Sequence, residues 1–189
     1  MTLNKINGLL YRIMQAATAR MLWLSLAAYI AMAVVMGWGS AKMNEMAGQK
    51  IEILDLQPSY TPQQAKNILS KYNDETLKFA ALFNLTADTL YPLVYTALFC
   101  IILARFCRKI VPHNPQWRWL LLIPLPIPLI DYLENAGIIQ ILWNYPDVSD
   151  SMISLASFFT LLKWSLVGLT ALSIVLAAIL RLQKIRVKA

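Results

Sequence analysis

The sequence contains few of the residues on which most metal sites and soluble enzymes depend. Its 189 residues include one histidine, His113, and two cysteines, Cys100 and Cys107, and only 14% are charged. Zinc and haem sites draw their ligands from several His or Cys residues, so neither a metal nor a cofactor is expected. The two cysteines lie on one predicted helix near a reducing compartment, which disfavours a disulfide. A Gly-rich phosphate loop and a Ser/His/Asp set are also missing, so the usual enzyme motifs are absent.

Long hydrophobic runs are abundant instead, because 58% of the residues are hydrophobic. A helix of about 20 apolar residues crosses the core of a bilayer. Four stretches reach that length, at roughly 21–38, 79–103, 119–143 and 152–180. The pattern predicts a single membrane domain over 1–189: an all-α, polytopic membrane protein built as a bundle of four transmembrane helices.

The basic residues indicate the orientation. The N-terminal arm, the loop after the second span and the C-terminal tail carry cations and no acid: Lys5, Arg12, Arg20, Arg105, Arg108, Lys109, Arg118, Arg181, Lys184, Arg186 and Lys188. The positive-inside rule therefore predicts a bacterial cytoplasmic (inner) membrane protein with both termini in the cytoplasm. The net charge of +7 reflects this bias, so membrane lipids are the expected partners and nucleic acid is not.

The N-terminal arm has apolar residues at helical spacing: Leu3, Ile6, Leu10, Ile13, Met14 and Ala17. This pattern favours an amphipathic helix on the inner membrane surface, with a helical extension of the first span as the alternative. The triplet at 39–41 resembles a signal-peptide cleavage site, but the hydrophobic stretch before it is longer than that of a usual signal peptide.

The segment at roughly 55–78, between the first two spans, is predicted to form a short helical extracytoplasmic cap. Thr61 is placed as an N-cap, Pro62 as the first helical residue and Gln64 as the partner of a capping box. Asn73 or Asp74 then starts a helix that runs into the second span. The stretch IEILDLQPSY before them reads as extended. The alternative is a connecting loop with no role in ligand binding.

Four ionisable residues fall inside predicted spans, where charges are expensive and usually pair or serve a function. At about 1.5 Å per helical residue, Asp88 lies roughly 25 Å, Asp131 roughly 20 Å, Glu134 roughly 24 Å and Lys163 roughly 27 Å from the inner basic residue of its helix. All four therefore fall in one layer in the outer half of a bilayer that is about 30 Å thick. Close acids cannot all ionise in low dielectric, so at least one should stay protonated.

Other polar side chains share the faces of these acids and complete a predicted cluster. Asn135 follows Asp131 and Glu134 on one helical face. The remaining members are Tyr91, Tyr95 and Thr160. Prolines at 92, 124, 126 and 128 remove backbone donors nearby, which predicts a kinked or locally unwound third span.

The motifs DTLYPLVY, DYLENAG and LLKW occur in an order that resembles a widespread group of small four-span bacterial membrane proteins. The resemblance covers about residues 55–164. It implies that members of the cluster, together with Pro92 and Trp164, match the pattern of the group. The group has no established activity to carry over.

Three functions are compatible with this pattern. The first is a polar site that binds, or binds and transports, a lipid or other small amphiphile. The second is a membrane-embedded enzyme that uses the carboxylates as general acid and base. The third is an accessory or scaffolding subunit in which the charge network only fixes helix packing. Ala136 and Gly137 offer a small-residue surface, which leaves a homodimer open.

Overall fold

The structure, a computed structural model, describes residues 3–112 and 115–186, and no β-strand occurs in this part of the chain. His113 lies outside the described residues. The α-helices are α1 Leu3–Ala16, α2 Ala19–Ala47, α3 Pro62–Leu69, α4 Asp74–Ile110, α5 Ile127–Asn144 and α6 Asp150–Arg186, and 3₁₀ helices occupy Leu54–Leu56 and Pro115–Leu122.

Four helical stretches are long and apolar enough to cross a membrane: Ala19–Ala47, Asp74–Ile110, Pro115–Asn144 and Asp150–Gln183. The predicted fold class is therefore confirmed: the chain is an all-helical, multi-pass membrane protein with four spans. The contacts within the chain divide it into two compact units. One unit, here called the terminal unit, consists of 1–29, 94–126 and 166–189. The other, the cap unit, consists of 30–93 and 127–165.

The terminal unit has a core to which the N-terminal helix contributes. Helix α1 is separated from α2 by the non-helical residues Ala17 and Thr18, so the arm is a helix of its own rather than an extension of the first span. Its apolar stripe is buried at Leu10 and Met14, which pack in one cluster with residues of α4 and α6 such as Leu103. The position of α1 on the inner membrane surface stays a prediction.

The cap unit is built around a second core, to which the 3₁₀ helix Leu54–Leu56 and helix α3 contribute together with α2, α4, α5 and α6. We call the segment 51–73 the cap. Leu54 and Leu69 of the cap are buried in the same cluster as Ile138 of α5 and Ile153 of α6. The segment between the first two spans is thus a packed part of this unit and not a loose connection.

The local signals in the cap are largely as predicted. The Thr61 side chain accepts from the backbone N–H of Gln64, and the Gln64 side chain accepts from that of Thr61, which forms the complete capping box. Asn73 accepts from the N–H of Thr76 at 2.8 Å and so caps α4. The expectation that IEILDLQPSY is extended was wrong for its centre, because Leu54–Leu56 forms a 3₁₀ turn.

The third span is unwound at its prolines, as predicted. Residues 115–122 form a 3₁₀ helix, residues 123–126 form turns, and the regular helix α5 begins only at Ile127. A proline lacks the N–H that would continue the helical ladder, and its ring obstructs the preceding turn. Asp131, Glu134 and Asn135 therefore lie in the first turns of a fresh helix.

Gly39 of α2 allows a close contact with α4 in the cap unit. A Cβ atom at this position would overlap the ring of Phe83, which is buried and stacks on Phe79 with ring centroids 5.8 Å apart. Gly37, two residues earlier in α2, has no atom within 4 Å of the equivalent position. The two glycines are therefore a matched pair that differ in packing.

We expect Gly39→Ala to destabilise the protein by about 1–3 kcal/mol, because the added methyl group overpacks a filled contact. Gly37→Ala should leave stability unchanged or raise it, since alanine favours a helix over glycine by about 1 kcal/mol. Thermal unfolding of both variants in the same detergent measures the difference. Equal melting temperatures for the two variants would contradict the close packing at Gly39.

Candidate functional site

One face of α6 supplies a polar stripe to the interior of the cap unit. The residues buried on this face recur at helical spacing, at Ile153, Ala156, Ser157, Thr160 and Lys163. The first part of the stripe is apolar and packs in the core, and the later part is polar. The helix therefore carries a cation and two hydroxyls into the interior of the cap unit.

Lys163 forms a buried ion pair with Glu134 of α5. The lysine Nζ lies 2.6 Å from the Glu134 Oε2, and the two residues are only 7% and 0% exposed. Thr160, one turn before Lys163, lies beside the same carboxylate and donates its hydroxyl to the Ala156 carbonyl. Burying two charges is costly, and close pairing with a second polar neighbour offsets part of that cost.

The cap provides a further partner for α6 at Asp55. The backbone carbonyl of Asp55 accepts from the Lys163 Nζ at 3.5 Å and from the Trp164 Nε1 at 3.1 Å. The Asp55 side chain is 8% exposed, and burial raises the pKa of this carboxyl although nearby Lys163 partly opposes the rise. Asp55 therefore joins the charged site from outside the spans.

Tyr60 attaches the cap to α6 at a second point. Its backbone N–H donates to the Ser157 hydroxyl at 2.8 Å, and its phenol lies beside Thr160. Burial raises the pKa of Tyr60 to about 12, so the phenol stays neutral at physiological pH. At the surface, Lys66 pairs with Asp150 at 2.6 Å. The cap is thus linked to α6 by backbone, hydroxyl and ionic contacts.

Asn135 of α5 meets α4 where Pro92 interrupts its hydrogen bonding. Pro92 has no N–H to donate to the carbonyl of Asp88, four residues earlier. The Asn135 Nδ2 donates to that carbonyl at 3.4 Å and to the Asp131 Oδ1 at 3.2 Å. A side chain of α5 therefore supplies the donor that the proline removes from α4.

Several buried oxygens in the cap unit, all of whose residues are described, have no hydrogen-bond partner. They include the Asp55 Oδ1, Asn84 Oδ1, Asp88 Oδ2 and Asn135 Oδ1 atoms, together with the Tyr60 hydroxyl and the Glu134 Oε1 atom. Buried polar atoms are paired in the great majority of cases, so this group of unpaired atoms in one unit needs an explanation. Asp55 and Asn84 also line one small internal space, which has room for about one water molecule.

Most of the predicted cluster lies in the cap unit. Asp88, Asp131, Glu134, Asn135, Thr160 and Lys163 are all buried there, and Tyr91 is half-buried in the same unit. Asp88 interacts electrostatically with Asp131, Glu134 and Lys163. Tyr95 falls in the terminal unit, where its ring lies 5.7 Å from that of Phe99. The part of Tyr95 in a site stays a prediction.

Sequence reasoning missed the contribution of the cap. Asp55 is absent from the predicted cluster, although its position between Leu54 and Leu56 in an apolar stretch is a signal of burial. Tyr60 was also left out of the predicted cluster. Asn84, which lies four residues before Asp88 and so shares its helical face, is absent from that cluster as well. Gly137, considered as a surface for another chain, packs against Ala156 of this chain.

Comparison with known proteins adds no further assignment, because no protein-family model, curated protein or solved structure matches the chain. Over 3–112 and 115–186, no group of three or more His, Cys, Asp or Glu side chains is arranged to hold a metal ion. Cys100 and Cys107 are both free thiols. The chemical groups that the site offers are its acids, its lysine and its unpaired acceptors.

We expect Lys163→Met to cost about 3–5 kcal/mol of stability, because it leaves Glu134 as an uncompensated buried charge. Adding Glu134→Gln to this variant removes that charge and should restore most of the loss. Lys42 pairs with Glu45 at the surface at 3.0 Å and is the matched control. Lys42→Met should change stability by less than about 1 kcal/mol. Unfolding in detergent measures all variants, and a double variant no more stable than Lys163→Met would refute the pairing.

A double-mutant cycle tests the contact between Asn135 and Pro92. Asn135→Ala leaves the Asp88 carbonyl without a donor, which should cost about 1–3 kcal/mol. In a Pro92→Ala background, the restored backbone N–H bonds that carbonyl, so the same Asn135→Ala change should cost about 1 kcal/mol less. Unfolding free energies of the four proteins give the coupling. Strict additivity would show that Asn135 does not serve this carbonyl.

Proposed function

We propose that the protein is a bacterial inner-membrane protein that binds the polar head of a lipid or other small amphiphile in the charged site of the cap unit. Both termini then lie in the cytoplasm and the site lies in the outer half of the bilayer. The charge distribution along the chain supports this orientation. Ionisable groups within spans are rare and usually line a path or site for a ligand, which supports a binding role.

The observation that carries this proposal is the incomplete pairing of the site. A network that only fixed helix packing would be expected to satisfy its own polar atoms, because each unpaired buried group costs about 1–3 kcal/mol. The oxygens of Asp55, Asn84, Asp88 and Asn135 remain unpaired. A bound head with hydrogen-bond donors would satisfy them.

Trp164 supports an amphiphile over a purely polar solute. Its indole N–H is tied to the Asp55 carbonyl, yet 39% of the residue is exposed. In a membrane span, the exposed part of such a residue faces lipid. Neighbouring Leu161 is also exposed. An amphiphile with its head at the acids would place its chain against this apolar surface.

The arrangement gives less support to a lysine-based enzyme. A Schiff-base nucleophile needs a neutral amine with an accessible lone pair. The Lys163 Nζ is engaged by Glu134 at 2.6 Å and by the Asp55 carbonyl at 3.5 Å. Its short distance to a carboxylate favours the ammonium form over the free amine. These contacts also place no nucleophile beside the acids, so they give no support to catalysis by the acids alone.

The test is the lipid or amphiphile that purifies with the protein in a mild detergent, counted by native mass spectrometry. We expect Asp88→Asn to retain about tenfold less, the equivalent of about 1.4 kcal/mol, because it alters an unpaired oxygen of the site while preserving its shape. Thr86→Ala is the control, since Thr86 lies two residues away on α4, is exposed and bonds only to its own helix. A wild-type protein without bound amphiphile, or equal retention in all three proteins, would refute the binding role.

A further inference from the structure

We propose that the head recognised by this site carries an ammonium group, so that the ligand is a cationic or amine-bearing amphiphile. This inference rests on the proposed binding function and names the chemical class of its ligand. The interior of the cap unit contains unpaired acceptor oxygens that can bind the head of the ligand. The ammonium group itself would lie in the small space that Asp55 and Asn84 line.

The first argument is the charge of the interior. The buried acids of the cap unit are Asp55, Asp88, Asp131 and Glu134, and its one buried base is Lys163. Lys163 is already committed to Glu134. The buried acids outnumber the buried base, so a cation that enters can pair with an ionised carboxylate of this unit. A cationic head supplies such a cation, whereas an anionic head increases the repulsion.

The second argument is the kind of atom that is left unpaired. The amide nitrogens of Asn84 and Asn135 are both used, since they donate to the carbonyls of Ala80 and Asp88. What remains unpaired on these two side chains is the acceptor oxygen, as it is on Asp55 and Asp88. An ammonium group offers three donors and no acceptor, so it complements the unpaired oxygens of the two residues that line the space, Asp55 and Asn84. A phosphate or carboxylate offers only acceptors and complements none of them.

The third argument is size. Asp55 and Asn84 are more than nine-tenths buried, and both line the same small space, together with Tyr72 and apolar side chains such as Leu69 and Ile138. The space has room for about one water molecule. An ammonium group is a compact point charge of about that size, whereas a phosphate does not fit. The apolar walls would raise the strength of its contacts with the two oxygens.

This arrangement also changes the expected role of Lys163. As the only buried cation of the cap unit, Lys163 is the residue that an anionic head would be expected to meet. Its ammonium is instead surrounded by Glu134 and the Asp55 carbonyl, and it lies 5.8 Å from the Trp164 ring. We infer that Lys163 holds Glu134 and the cap in place and that the ligand meets the acids.

Three amphiphiles with the same chain test the inference: dodecylammonium, dodecanol and dodecanoate, each titrated into the full-length protein in a maltoside detergent. Binding is followed by native mass spectrometry and by the shift in melting temperature. We expect dodecylammonium to bind at least about tenfold more tightly than dodecanol, and dodecanoate to bind most weakly. Asp55→Asn should abolish this preference for the amine, and Thr86→Ala should keep it.

The outcomes separate the two proposals. Equal binding of dodecylammonium and dodecanol, or tighter binding of dodecanoate, would overturn the ammonium assignment and leave the amphiphile site standing. Binding of none of the three probes, together with a purified protein free of lipid, would overturn both. A preference for the amine that persists in Asp55→Asn would show that the ammonium binds elsewhere. The melting temperature without ligand verifies that Asp55→Asn is folded.

Discussion

The ion pair between Lys163 and Glu134 is the contact on which the rest of the cap unit depends. A lysine ammonium buried to 7% exposure must be compensated, and one carboxylate at 2.6 Å does this only in part. The Asp55 carbonyl supplies a further acceptor. Three features bring Lys163, Glu134 and the Asp55 carbonyl together. They are the position of the cap, the start of regular helix at Ile127 and the polar stripe of α6. Removing the lysine charge would remove one of the hydrogen bonds that hold the cap against α6.

The spans, the capping box and the buried acids could be predicted from the sequence because each rests on a local or one-dimensional rule. Helix rise placed Asp88 and Lys163 at similar depth, and both lie in the cap unit, whereas the count for Glu134 passed through the unwound residues before Ile127. Thr61 and Gln64 form their capping box from residues three apart. The unwinding before α5 followed from its prolines. None of these required knowledge of distant contacts.

The cap could not be placed by such rules, because its contacts join residues far apart in the chain. Asp55 meets Lys163 and Trp164 through a backbone carbonyl, which every residue has and no motif marks. Tyr60 likewise contacts Ser157 through its backbone N–H. The same limit applies to Asn135, whose amide could be assigned to the polar face of α5 but not to the carbonyl of Asp88. The site is therefore more strongly acidic than its spans alone suggested.

The proline in α4 has a mechanical consequence. The hydrogen-bond ladder of an ordinary helix is complete within one segment, so neighbouring helices can slide past each other without breaking it. At Pro92, the side chain of Asn135 in α5 supplies the hydrogen bond that the backbone of α4 lacks. Sliding or rotation of α4 against α5 in the cap unit must break this hydrogen bond. This contact therefore opposes a change of register between α4 and α5 at the level of the acids.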